Sequence, residues 1–190
     1  MLQPSYPIHT ERLLLRPMDP ATDVDAVHAY QSREDVCRYV PYSPRSRAEV
    51  AKRLADPART RSSLEAEGQA MDLAVVVRDS GQLIGDVLLF WTSEEHRRGE
   101  IGYAFNPDFH GQGYATEACE PMLALAFDGL GLHRVIARLD ARNSASAAVL
   151  RRLGLRQEAH LIENEWFKGE WASELDFAIL AAEWRTLRER

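Results

Sequence analysis

Cysteine is scarce. The chain has two in 190 residues, Cys37 and Cys119. That is too few, and too far apart, for a disulfide framework. Neither has a histidine or second cysteine at metal-ligand spacing, and the six histidines include no H-x-x-x-H pair, so no metal site is expected. No apolar run approaches the ~20 residues that span a bilayer. Residues 1–7 lack the charged-then-apolar pattern of a secretion signal, so a cytoplasmic protein is expected. Positive charge is short as well. Lys and Arg number 23 against 29 Asp and Glu, for a net charge of −6. Nucleic-acid binding needs a basic face, so that class is set aside. An acidic surface suits a basic or amine-bearing partner. A hydrophobic content of 45% is enough for one buried core, and residues 1–190 read as a single domain.

Residues 1–9 read as a loose, proline-containing lead. Residues 10–16 read as a strand stopped by Pro17 and Pro20. Helical spacing follows at Val24, Val27 and Tyr30, and again over 45–54, where Ser46 is a cap candidate. Residues 56–68 are polar and fit a helix or an exposed loop. Strands are expected at 72–78, 83–90 and 99–105, a meander that favours antiparallel pairing. A helix starts near Gly113 with an apolar stripe at Cys119, Met122, Leu123, Ala126, Phe127 and Leu130, stopped by Gly129 and Gly131. Pro121 within it removes a hydrogen bond to residue 117 and is expected to kink it. Then come a strand at 133–139, a helix at 145–153 capped by Asn143 or Ser144, strands at 155–162 and 174–180, and a short charged helix at 181–190. Strands and helices in this mixture indicate α+β with one central, largely antiparallel sheet.

The most informative stretch is Phe109-His110-Gly111-Gln112-Gly113-Tyr114-Ala115-Thr116-Glu117-Ala118. It joins a strand to a helix start through two glycines. The first N–H groups of a helix have no internal partner, and the helix dipole favours negative charge there. Glycine lets a phosphate approach the backbone without a Cβ in the way. The natural guest is a diphosphate. No lysine follows Gly113, which removes a P-loop NTPase. Thr116 stands where a dinucleotide fold needs its third glycine.

The register of His110 to Ala115 resembles the Gln/Arg-x-x-Gly-x-Gly/Ala signature of the GNAT acetyltransferase superfamily, with Gly113 and Ala115 in the two small positions. His110 stands where that family has Gln or Arg. The flanks extend the resemblance: Glu100-Ile101-Gly102-Tyr103 before, and Leu132-His133-Arg134-Val135, Asn143-Ser144-Ala145-Ser146 and Leu153-Gly154-Leu155 after. The ordered set, from about residue 10 to 179, is similar to the branch that acetylates N-termini of ribosomal proteins.

That resemblance implies a mixed, mostly antiparallel central sheet with helices on both faces, and acetyl-CoA as cofactor. It implies that the backbone of Gly111, Gln112, Gly113, Tyr114, Ala115 and Thr116, with His110 beside it, holds the pyrophosphate. Tyr103, Ala104 and Phe105 would pair with the pantetheine and face the acetyl oxygen. Asn143 would lie against the cofactor arm, or simply cap its helix. Ser146 would give a proton to the departing thiolate. Glu100 and Glu165 are two candidates for the base, and an α-amine with pKa near ~8 needs little help from either. The aromatics Tyr39, Tyr42, Trp91, Trp166 and Trp171 either frame the acceptor pocket or belong to the core. The expected acceptor is a protein or peptide N-terminal amine. A small-molecule amine is the alternative, and a GNAT fold that binds CoA without turnover is a second class. Monomer and homodimer are both open.

Overall fold

The computed structural model describes residues 1–189. Eight strands form one sheet in the order β1-β2-β3-β4-β5-β6-β8-β7. These are β1 (Ile8–His9), β2 (Leu13–Pro17), β3 (Ala70–Val77), β4 (Leu83–Ser93), β5 (Arg98–Phe105), β6 (Arg134–Asp140), β7 (Arg156–Phe167) and β8 (Glu170–Leu180). Every neighbouring pair is antiparallel except β5 and β6. The helices are α1 (Val24–Gln31), α2 (Glu34–Cys37), α3 (Arg47–Leu54), α4 (Tyr114–Ala124), α5 (Ser144–Arg152) and α6 (Ala181–Arg188). The fold is α+β with helices on both faces of the sheet, as expected. No helix among the described residues is long and apolar enough to cross a membrane.

Alternation along the strands builds two cores. Leu13, Leu15, Leu73, Val75, Val87 and Leu89 point one way and pack with Met122, Leu123, Leu150 and Trp184 from α4, α5 and α6. Ala74 and Val76 point the other way and pack with Val27 and Tyr30 of α1 and Val50 and Leu54 of α3. The helix at 45–54 starts at Arg47, where Ser46 and Glu49 form a reciprocal capping box. That pair satisfies two otherwise orphaned N–H donors.

Three expectations are corrected. The first nine residues are not loose. Leu2 is buried and exchanges hydrogen bonds with Leu64 at 2.7 and 2.9 Å, while Ile8 and His9 pair with β2. Residues 56–68 form neither a helix nor a purely exposed loop, because fully buried Leu64 anchors them. Helix α4 runs through Pro121, and the wide turn comes later, at Leu125–Gly129. There the Leu130 N–H donates to the Leu125 carbonyl at 2.9 Å, an i to i+5 step typical of a π-bulge. The short helix α2 has no counterpart in the sequence reading. Of the charged helix expected at 181–190, Arg190 lies outside the described residues.

Candidate active site

The parallel pair β5–β6 is short. Arg98, Gly99 and Glu100 face Arg134, Val135 and Ile136, and the register ends there. Residues 101–105 of β5 keep β4 as their partner and have no strand on the other side. A cleft of about 1450 Å³ opens at this gap. It runs past Tyr103, Ala104 and Phe105 to the glycine loop, and between α4 and α5.

The loop is shaped by its glycines. Gly111 (φ +77°) and Gly113 (φ +80°) are both left-handed. A Cβ at Gly111 would meet nothing within 4 Å, so its open side is available to a guest. The Glu117 N–H donates to the Gly113 carbonyl at 3.1 Å, which is the first turn of α4. The N–H groups ahead of it lie before the helical ladder. Among the described residues, the Thr116 hydroxyl is buried without a hydrogen-bond partner, a free donor beside that row.

Glu117 anchors the loop to the N-terminal strands. Its carboxylate accepts from the Thr10 hydroxyl at 2.6 Å, the Arg12 N–H at 2.7 Å and Arg12 Nε at 2.7 Å. Burial opposes its ionisation, yet these hydrogen bonds prevail and hold the carboxyl below its ordinary range. Arg12 Nη1 donates to the Gln112 carbonyl at 2.9 Å. The His110 ring places Nε2 3.3 Å from the Phe105 carbonyl.

On the other wall Asn143 caps α5, its Oδ1 accepting from the Ser146 N–H at 3.1 Å. That leaves Ser144 as the first helical residue. The Tyr103 hydroxyl donates to the Ser146 carbonyl at 3.1 Å. Burial pushes the Tyr103 pKa up, so the phenol stays a donor at neutral pH. The cleft thus gathers Tyr103, Ala104, Phe105, His110, Gly111, Gly113, Tyr114, Ala115, Thr116, Asn143 and Ser146. Gln112 contributes its carbonyl to Arg12 and does not line the cleft.

The two base candidates lie elsewhere. Glu100 ends the β5–β6 ladder and accepts from Arg138 Nη2 at 3.1 Å. Glu165 is exposed on β7, opposite Ala172. Neither lines the cleft. Glu174 connects them electrostatically. Burial first, then Asp176, Glu165 and Glu100, push its carboxyl pKa up against the pull of Arg138.

The acceptor end is bounded by Asp35, Val36, Tyr39 and Val40 of α2 and the loop after it. The β7–β8 hairpin closes over that loop. Lys168 Nζ donates to the Cys37 carbonyl and, at 2.8 Å, to the Tyr42 carbonyl. Arg142 joins Asp140 to Glu170 at 2.6 and 2.5 Å and lies over the Tyr39 ring. Flanking the hairpin turn, Trp166 and Trp171 meet edge to face at 5.4 Å and are 63% and 57% exposed. Trp91 belongs to the core instead.

Sequence reasoning missed a carboxylate pair beneath α1 and α3. Asp86 stands opposite Ala104, and its Oδ1 accepts from the Tyr30 hydroxyl at 2.5 Å. Asp72, on the next strand, receives Arg53 at 3.4 Å. Burial pushes both carboxyls up, and the neighbouring Asp86 charge adds to the rise at Asp72. Sidedness of β3 and β4 was the one available signal, since both positions interrupt apolar runs.

Comparison with known proteins fits this geometry. The sequence profile described as "Acetyltransferase (GNAT) domain" matches residues 12–156. The chain belongs to the GNAT acetyltransferase family. It is 33% identical to the uncharacterized N-acetyltransferase YnaD of Bacillus subtilis over 93% of this chain and 98% of that one. The crystal structure of a GNAT-family acetyltransferase from Bacillus anthracis superposes with a TM-score of 0.81 at 29% identity, covering 92% of this chain and 98% of that one. Two relatives match over 55% of this chain: the putative ribosomal N-acetyltransferase YdaF of Bacillus subtilis, at 31% identity over 57% of its length, and the spermidine N(1)-acetyltransferase of Escherichia coli, at 27% over 56%. This GNAT protein is therefore an N-acetyltransferase that uses acetyl-CoA. The left-handed glycines and the orphaned Thr116 hydroxyl fit a diphosphate.

Proposed function

We propose that the protein is a cytoplasmic enzyme, one catalytic domain over residues 1–190, that acetylates the N-terminal α-amine of a protein or peptide. The observation that carries this reading is the exposed Trp166–Trp171 pair on the hairpin whose Lys168 holds the loop after α2 at the acceptor end. A peptide chain following its amine out of the cleft would cover that apolar rim, whereas a small amine would leave it bare. Exposed aromatic patches of this kind mark surfaces used for recognition.

In this reading the backbone from Gly111 to Thr116 holds the pyrophosphate, and residues 103–105 pair with the pantetheine. A β5 N–H stabilises the developing oxyanion, where a fixed donor counts most. The amine nitrogen attacks the thioester carbon, the C–S bond breaks and the amine loses a proton. Ser146 delivers a proton to the leaving thiolate. Placement of the two substrates supplies much of the rate. An α-amine is partly neutral at pH 7. A water can therefore take its proton, and Glu100 and Glu165 stand outside the cleft lining.

A second reading has its own observation. Glu100, Glu165, Glu174 and Asp176 share one patch of the sheet with a single arginine, Arg138, a net acidic surface that suits a small polycation such as the one named in the spermidine relative. The test is a panel of short peptides with free N-termini and small amines, each mixed with enzyme and acetyl-CoA while free thiol is followed. Thiol release with peptides alone supports the first reading. Release with small polyamines alone replaces it with the second.

A further inference from the structure

The motif departs from its family at one position. His110 stands where the family signature has Gln or Arg, and its Nε2 lies 3.3 Å from the Phe105 carbonyl. A diphosphate at the glycine loop would then meet backbone donors and one hydroxyl, but no arginine from the motif itself. The cleft does hold a cation at that end, from nearly a hundred residues earlier. Arg12, in the turn between β1 and β2, lines it beside Gly113 and Tyr114.

We propose that Arg12 is the cationic ligand of the cofactor's diphosphate, taking the place left by His110. Its guanidinium is fixed on three sides. Nε and Nη2 hold the Glu117 carboxylate at 2.7 Å each, Nη1 holds the Gln112 carbonyl at 2.9 Å, and the group stacks 4.7 Å from the centre of the Tyr114 ring. It lies against the loop itself, since a Cβ built on Gly113 would sit 3.5 Å from Nη2. A guanidinium has five N–H donors. Three are committed here, which leaves one on each terminal nitrogen. The side chain is 43% exposed, so these donors are not sealed in protein. Arginine's planar fork matches phosphate oxygens, and a pre-organised fork loses little entropy on binding.

Glu117 gives the arrangement a second consequence. A carboxylate in the first turn of α4 would repel a bound diphosphate if it stood alone. Paired with Arg12 it becomes a strut that aims the cation. Removing Arg12 therefore takes away donors and uncovers a like charge together.

The proposal rests on the reading that the loop at 111–116 holds the diphosphate, and the test separates the two. Titrate the intact protein and the Arg12→Gln variant with CoA, and separately with pantetheine, which has the same arm without the diphosphate. Native protein should prefer CoA strongly. In the variant, CoA affinity should fall by about tenfold or more, the scale of a lost hydrogen bond to a charged group, while pantetheine affinity stays within about twofold. If native protein shows no preference for CoA, the loop reading fails and Arg12 falls with it. If native protein prefers CoA and the variant keeps that preference, or loses both ligands equally, the loop reading stands and Arg12 is only a structural tie. Should the Gln variant fail to fold, Arg12→Lys keeps the charge without the fork. It should show a smaller loss, again confined to CoA, and an equal loss on both ligands overturns the proposal.

Discussion

The Tyr103 hydroxyl and the Ser146 carbonyl are 3.1 Å apart. That hydrogen bond ties strand β5 to the first turn of α5 across the cleft. It fixes the distance between the strand and the helix that would flank the cofactor arm. A neutral hydrogen bond of this kind contributes about 0.5–1.5 kcal/mol net. Tyr103→Phe should lower the melting temperature slightly and reduce kcat/KM for acetyl-CoA by roughly two- to tenfold. Unchanged kinetics would mean that α5 is positioned without it.

Ser146→Ala tests a different function of the same residue. Its backbone N–H and carbonyl keep their partners, Asn143 and Tyr103, so the helix should stay in place. If the hydroxyl protonates the thiolate, kcat should fall by about 10²-fold or more, with CoA affinity nearly preserved. Equal turnover would remove Ser146 from the mechanism.

Gly113→Trp tests the loop. The position is left-handed at φ +80°, which costs about 1–2 kcal/mol for an L-residue, and the indole would fill the approach to the backbone. CoA binding should be lost in a calorimetric titration. Retained affinity would show that the diphosphate lies elsewhere.

Local chemistry made much of this legible in advance. The strand–glycine–helix junction, the Ser46 cap and the alternating apolar strands each follow from a few neighbouring residues. What escaped depends on residues far apart in the chain. Arg12 and Glu117 meet across a hundred positions, and no local pattern announces that a strand-end arginine will lie on a loop. Tyr30, Asp72 and Asp86 come from three elements. Leu2 looked like part of a tail because its partner Leu64 sits in an unstructured-looking polar stretch. Glu100 and Glu165 were chosen by motif position, and the structure puts both outside the cleft lining, with Glu100 held by Arg138.

The Asp72 carboxyl gives a pH signature. Its folded pKa is raised above the ordinary 3.8, mainly by burial. Between those two values the native state holds a proton that the unfolded chain has released, so rising pH costs stability. The melting temperature of Asp72→Asn should gain on the native protein as pH climbs from about 4 toward neutrality. The two should converge below the unfolded value. Parallel curves across that range would show that Asp72 is ionised in the fold without penalty.

The three-residue ladder between β5 and β6 makes the sheet two plates sharing a narrow seam. Backbone groups along residues 101–105 face a slot that a thioester arm can fill like an extra strand. Anything that binds the folded state alone stabilises it by mass action, about 2.7 kcal/mol at a hundred times its Kd. If CoA fills this slot, it acts as a structural part as well as a reagent. Amides along residues 101–105 should then exchange more slowly with CoA bound than without it, and equal exchange would show that the arm lies elsewhere.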